Sequence, residues 1–118
     1  MHKGKGFLSR LRCAIEGIRA AFRHESSFRI QLLAAFFALF SLFLFHPPLY
    51  WTALFAVMIF LVLAAELFNT ALEHLLDGLH PENAEFVRIA KDCSAAAVLL
   101  LSIASVLVFI FMVISVWA

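Results

Sequence analysis

The sequence predicts an all-α membrane protein in which an N-terminal amphipathic surface helix precedes three transmembrane helices. Of the 118 residues, 64% are hydrophobic and 14% are charged, whereas soluble domains usually carry about 25% charged residues. No Asp, Glu, Lys or Arg lies between Arg29 and Glu66, or after Asp92. Because a helix needs about 20 apolar residues to cross a bilayer, the first charge-free stretch holds two spans and the second holds one.

The N-terminal segment, residues 7–24, is predicted to form a helix that lies on the membrane. On a helical wheel one face is apolar and the opposite face is charged. The apolar face holds Phe7, Leu11, Ile15, Ile18 and Phe22, and the charged face holds Arg12, Glu16, Arg19 and Arg23. An apolar face with cationic side chains on the opposite face is typical of an interfacial helix. The alternative is a helix that packs on a partner protein.

Three longer helices are predicted, and they cover residues 28–45, 49–79 and 82–117. Proline lacks an N–H and clashes with the preceding turn, so Pro47 and Pro48 separate the first two and Pro81 precedes the third. Ser26 or Ser27 is expected to cap the first, since a hydroxyl can accept from the unpaired N–H groups of a new helix. No repeat or second domain is visible, so residues 1–118 are predicted to form one domain.

The cations predict the orientation. Lys and Arg side chains lie before or at the start of the first span and before the third, at Lys3, Lys5, Arg10, Arg12, Arg19, Arg23, Arg29, Arg88 and Lys91. The loop at residues 46–50 has none. By the positive-inside rule the N-terminus is cytoplasmic and the Pro-Pro turn faces outward. The net charge of +1 indicates no nucleic-acid partner.

Polar residues line one face of the second predicted span. They are Glu66, Asn69, Glu73 and Asp77, and at 100° per residue they fall within an arc of about 80°. Glu66 follows Leu49 by 17 residues, about 25 Å along the helix axis. It should therefore lie just inside the cytoplasmic edge of the bilayer, where a carboxylate is costly unless it is paired or functional.

Other ionisable groups are predicted at the same membrane level. Arg88, Lys91 and Asp92 open the third span, and Glu25 ends the surface helix. Several carboxylates with one or two cations suit Mg²⁺, which is often shared with substrate phosphates, or a carboxylate that acts as a general base. The alternative is a solvated helix end, above all for Asp77, Glu82 and Glu85. Self-association through small residues, such as those at positions 95–97, would bury the polar face further.

Three segments of the chain carry sequence motifs at compatible spacing. Residues 66–77 read ELFNTALEHLLD, residues 90–98 read AKDCSAAAV, and residues 17–29 read GIRAAFRHESSFR. The first two match E-x-x-N-S/T-A-I/L-E-x-x-x-D and A-K-D-x-x-A/S-A/G-A-V. With these segments the chain resembles the prokaryotic diacylglycerol kinase family, which includes undecaprenol kinases. The resemblance covers about residues 10–118, and the three motifs together are highly specific.

The resemblance implies a small homotrimeric kinase in the bacterial cytoplasmic (inner) membrane. Such an enzyme transfers the ATP γ-phosphate to the primary hydroxyl of diacylglycerol or undecaprenol, with Mg²⁺ as cofactor. It implies that Glu66 is the catalytic base, that Asn69 helps position it, and that Glu25 and Glu73 hold Mg²⁺ and the nucleotide phosphates. The other implied nucleotide contacts are Arg10, Cys13, Glu82, Asn83, Lys91 and Asp92, and the implied lipid contacts are Arg29, Glu66 and Ala95.

The sequence departs from the family pattern at three places. The early arginine that reaches ATP has Arg10 or Arg12 as candidates, and Cys13 stands where an aromatic side chain often contacts the nucleotide. Gln31 replaces an acid that is often found six residues after the position of Glu25, which bears on lipid choice. None of these departures touches the proposed base or metal ligands.

Two other function classes remain open. In a small proton-coupled transporter, Glu66 would bind and release protons, but such a protein needs charge near the middle of the membrane, and here the charge lies at one edge. In a structural membrane protein the polar face would only seal an interface. The four glycines form no phosphate-binding loop motif, which excludes a P-loop kinase and leaves a carboxylate site possible.

Overall fold

The computed structural model describes residues 6–80 and 84–117, and every regular element in these ranges is an α-helix. The four helices are α1 (Phe7–His24), α2 (Ser26–Phe45), α3 (Leu49–Leu79) and α4 (Glu85–Trp117). The last three are long and apolar enough to cross a membrane. The predicted fold, a surface helix followed by three spans, is confirmed, and α1 and α3 have the predicted bounds.

The start of α2 differs from the prediction. Glu25 has an extended backbone and is the N-cap, and no side chain caps the helix. Ser26 and Ser27 therefore lie inside α2, so the predicted capping by either serine is wrong. The Ser27 hydroxyl is bonded across to α3 instead. For α4, the predicted start at residue 82 lies outside the described residues.

The turn between α2 and α3 follows from its proline pair. His46 ends α2 in the left-handed region, with φ of 49°, and its N–H donates to the carbonyl of Leu42 at 3.1 Å. A left-handed residue after the last turn is a common way to end a helix. Pro47 and Pro48 then carry the chain to Leu49, where α3 begins.

A small apolar core fixes the three long helices relative to one another. It joins Leu42 of α2, Phe55 and Ile59 of α3, and Met112 of α4, and Met112 is fully buried. Helix α3 packs most extensively against α4 and less against α2. Most other apolar side chains on these helices are exposed, which is expected where lipid rather than water surrounds a helix.

Helix α1 is attached to the bundle through its C-terminal end. The Arg29 guanidinium donates to the carbonyls of Phe22 at 2.7 Å and Arg23 at 3.3 Å, which satisfies carbonyl groups that have no partner within α1. Ala21 and Phe28, on either side of the bend, are buried. The described parts of α2, α3 and α4 leave the apolar face of α1 uncovered, and Phe7 is 76% exposed.

Candidate active site

The polar face of α3 runs from a buried end to an exposed end. Glu66 is 4% exposed and Thr70 is 7% exposed. Asn69 and Glu73 are half-buried, and Asp77 is exposed. The face predicted from helical phase therefore leads from the packed interior of the bundle to its open end.

The Glu66 carboxylate is bonded to a residue of another helix. The Ser27 hydroxyl donates to Glu66 Oε2 at 3.1 Å, so the first turn of α2 meets α3 at this carboxylate. Sequence reasoning missed Ser27 as a site residue. The available signal was its position at the start of a span, which places it at the same membrane edge as Glu66.

Two buried polar atoms near Glu66 have no partner. Within the described residues, Asn69 Oδ1 and Thr70 Oγ1 make no hydrogen bond. Buried polar groups are bonded in the large majority of cases, and an unsatisfied one costs about 1–3 kcal/mol. Both atoms are therefore available to a bound ligand. Thr70 was also missed by sequence reasoning, although it lies four residues after Glu66 and shares its helix face.

Charged residues from three parts of the chain gather beyond Glu66. Glu73 interacts electrostatically with Glu25, Asp77, Lys91 and Glu66. The Lys91 ammonium donates to Asp77 Oδ1 at 2.6 Å, and this contact joins α4 to α3. The predicted convergence of Glu25, Glu73 and Lys91 is thus present within one chain. We call Glu25, Glu73, Asp77 and Lys91 the charged cluster.

Histidines flank this charged cluster. His74 Nε2 lies 3.9 Å from Glu25 Oε2, and the His74 ring lies edge-on to the ring of His24 with centroids 6.1 Å apart. The His74 side chain is 59% exposed. The histidines therefore link the end of α1 to the same region of α3.

Other predicted site residues contact groups outside the charged cluster or are exposed. Asp92 accepts a hydrogen bond from Arg88 Nη1 at 3.1 Å on the exposed side of α4. Arg29 binds the end of α1. Arg10 and Ala95 are exposed, and Cys13 is half-buried. Glu82 and Asn83 fall outside the described residues.

The donor set fits a Mg²⁺ ion that arrives with a nucleotide. No group of three His, Cys, Asp or Glu side chains that could hold a metal occurs in residues 6–80 or 84–117, so this part of the chain has no closed metal cage. Glu25 and Glu73 offer two carboxylates, and Asn69 offers an unpartnered amide oxygen. Mg²⁺ is usually bound by one or two carboxylates together with phosphates and water. This set supplies the carboxylates.

An apolar cavity adjoins the buried end of the polar face. It has a volume of about 390 Å³ and lies between α2, α3 and α4. On α3 its lining ends at Val62 and Leu63, one turn before Glu66. A hydrogen bond of 3.4 Å from Gln31 Nε2 to Ser102 Oγ crosses its wall between α2 and α4. Along α3, Glu66 therefore lies between the lining of the apolar cavity and the charged cluster.

The family suggested by the motifs matches most of the chain. The sequence profile described as prokaryotic diacylglycerol kinase matches residues 12–113. The chain belongs to the prokaryotic diacylglycerol kinase family. It is 38% identical over 98 residues to a diacylglycerol kinase of Synechocystis sp. (strain ATCC 27184 / PCC 6803 / Kazusa), covering 82% of this chain and 56% of that one.

A second member of the family gives the same result at lower identity. A diacylglycerol kinase of Sinorhizobium sp is 31% identical over 81 residues, covering 69% of this chain and 59% of that one. The chain thus spans somewhat more than half the length of the curated relatives it matches. The matched region includes α2, α3 and most of α4, so it contains the polar face, the charged cluster and the cavity.

Proposed function

We propose that this protein is a lipid kinase that transfers the γ-phosphate of ATP to the primary hydroxyl of a membrane lipid. The observation that carries the proposal is the position of Glu66, buried between an apolar cavity and a charged cluster. A kinase of this kind needs a polar group where an amphiphilic acceptor and a nucleotide meet. Along α3, the cavity lining ends one turn before Glu66, and Glu73 of the charged cluster follows Glu66 by seven residues.

Glu66 is proposed as the general base. A carboxylate in reach of the lipid hydroxyl can take its proton as the oxygen attacks phosphorus, a contribution typically of about 10²- to 10⁴-fold. Asn69, with its amide oxygen unpartnered in the described part of the chain, helps position the base or the acceptor. Phosphoryl transfer depends mainly on positioning and charge stabilisation, so no strong nucleophile on the protein is needed.

The charged cluster is proposed to bind the nucleotide. Glu25 and Glu73 would hold Mg²⁺, which neutralises charge on the phosphate oxygens when it is bound. Lys91 would contact the phosphates as a cation, exchanging part of its bond to Asp77. Arg10, Cys13, Glu82, Asn83 and Asp92 remain proposed nucleotide contacts, and Arg29 and Ala95 remain proposed lipid contacts.

The proposed setting is a homotrimer in the bacterial inner membrane with a cytoplasmic N-terminus. The distribution of Lys and Arg supports this orientation, and ATP is then available on the side where the charged cluster lies. Both relatives carry the name diacylglycerol kinase, which favours diacylglycerol, converted to phosphatidic acid, as the first lipid to test. Undecaprenol is the second candidate because it also presents a primary alcohol.

The proposal is tested by phosphate transfer from radiolabelled ATP in mixed micelles that contain one lipid at a time. The purified protein should label diacylglycerol or undecaprenol, and omission of Mg²⁺ should abolish labelling. Absence of labelled product with either lipid, from protein that is helical and monodisperse, would contradict the proposal. That result would favour a transporter or a structural membrane protein.

A further inference from the structure

We infer that Ser27 is a positioning residue for Glu66, and this inference rests on the proposed kinase function. Its hydroxyl binds one oxygen of the carboxylate and holds the other in place for the lipid acceptor. The residue lies on α2 and acts through a side chain of α3. It would not touch the substrate itself.

The contact is suited to this role because it is a hydrogen bond to a buried carboxylate. Glu66 is 4% exposed, and among the described residues Ser27 is the side chain that donates a hydrogen bond to it, at 3.1 Å to Oε2. A serine hydroxyl carries a single hydrogen, so the contact engages one carboxylate oxygen. Oε1 therefore remains able to accept the proton of an incoming hydroxyl.

Packing and hydrogen bonds hold the backbone on both sides of Ser27. The next residue, Phe28, is buried, and Arg29 binds the last carbonyls of α1. The Glu25 N–H donates to the carbonyl of Ala21 at 2.9 Å, which closes the bend just before Ser27. The backbone at Ser27 is thus fixed by packing and hydrogen bonds that do not involve Glu66, and its hydroxyl is turned toward Glu66.

A fixed donor matters for the reaction because a glutamate side chain has three rotatable bonds. Holding a reacting group in the productive geometry removes the cost of ordering it during the reaction, and a misplacement of about 1 Å can cost about 100-fold in rate. Loss of the Ser27 hydroxyl would let Glu66 turn away from the acceptor. The expected effect is on the chemical step, while nucleotide binding at the charged cluster is retained.

The test compares Ser27→Ala with Ser26→Ala, the same substitution one residue earlier. Both serines are exposed, but it is Ser27 that is bonded to Glu66. Ser27→Ala should lower kcat by about 10- to 100-fold and change KM for ATP by less than about twofold. Ser26→Ala should match the parent protein. Ser27→Thr, which keeps a hydroxyl, should recover most of the lost kcat, and Ser27→Cys, a weak donor of similar size, should not.

A double-mutant cycle separates positioning from general support of the fold. Glu66→Asp shortens the side chain so that it no longer reaches Ser27, and Ser27→Ala should then lower kcat no further. An equal loss from Ser27→Ala in both backgrounds, parental kcat in Ser27→Ala, or an equal loss in Ser26→Ala would each overturn the inference. A parent protein that phosphorylates neither lipid would overturn the proposed function itself, and the inference with it.

Discussion

Glu66 is a carboxylate on a buried helix face, with 4% of its surface exposed, and burial of a carboxylate is unfavourable. A carboxylate kept there for stability would be expected to have a cationic partner. The Lys91 ammonium, however, bonds Asp77, and within residues 6–80 and 84–117 the hydrogen bond to the Glu66 side chain comes from the neutral hydroxyl of Ser27. A buried carboxylate that is bonded to a neutral hydroxyl fits the general base proposed here better than it fits a structural ion pair.

Lys91 offers a test of the nucleotide site at the scale of one residue. Lys91→Gln removes the cation, and because a hydrogen bond to a charged group contributes about 1.5–3 kcal/mol, KM for ATP should rise about 10-fold or more. KM for the lipid should stay near the parental value. Steady-state kinetics with each substrate varied in turn measure both constants.

The matched control removes the other partner of the same ion pair. Asp77→Asn leaves the lysine charged, so KM for ATP should rise less than in Lys91→Gln. Thermal unfolding should change little in either variant, since exposed ion pairs contribute about 0–1 kcal/mol and Asp77 is 64% exposed. Equal KM values for ATP in the parent and in Lys91→Gln would remove Lys91 from the nucleotide site.

The residues that could be predicted from the sequence are those whose charge and helical phase carry information. The predicted depth of Glu66 and the shared face of Glu73 and Asp77 follow from 1.5 Å and 100° per residue. Ser27 and Thr70 could not be found this way. Both are uncharged, and the contact from α2 to α3 depends on how two helices pack, which periodicity within one helix does not specify.

At the scale of the elements, the prolines and the hydropathy predicted most helix limits. The bounds of α1 and α3 agree with the prediction, because the amphipathic pattern covers the whole of α1 and two prolines precede α3. The start of α2 was placed two residues too late, since serine is common both at a cap and inside the first turn. What decided the matter is the extended backbone of Glu25, which charge and hydropathy do not encode.

Helix α1 is expected to rest on the lipid with its apolar face. In a protein that carries Trp51→Phe and Trp117→Phe, the tryptophan introduced by Ile15→Trp should have its fluorescence strongly quenched by brominated lipid. A tryptophan at position 16, on the charged face where Glu16 pairs with Arg19, should be quenched weakly. Equal quenching at the two positions would contradict an interfacial orientation, and weak quenching at both would favour packing against a partner protein.

At the scale of the whole molecule, one chain already buries Glu66 but leaves much apolar surface uncovered. In the most hydrophobic stretch of each span, the share of residues buried inside the chain is 11% for α2, 22% for α3 and 6% for α4. Lipid can cover this surface, and so can further copies of the chain. Exposed small residues at positions 95–97 of α4 allow close helix approach, which supports the proposed trimer.

The trimer predicts a definite mass. Light scattering of the purified protein in detergent, after subtraction of the micelle, should give about 40 kDa, three times the 13.2 kDa of one chain. The value should persist on dilution over at least tenfold. A protein mass near that of one chain would contradict the proposed trimer.

The most direct test of the whole account is phosphate transfer by Glu66→Gln, beside Glu16→Gln as a control at an exposed carboxylate. Glu66→Gln keeps the size of the side chain but cannot accept the proton, so transfer from ATP to lipid should fall by about 10²- to 10⁴-fold. Its helicity, its oligomeric mass and its affinity for ATP should remain parental, and Glu16→Gln should be fully active. Transfer by Glu66→Gln at the parental rate would contradict the assignment of the base, and with it the proposed mechanism.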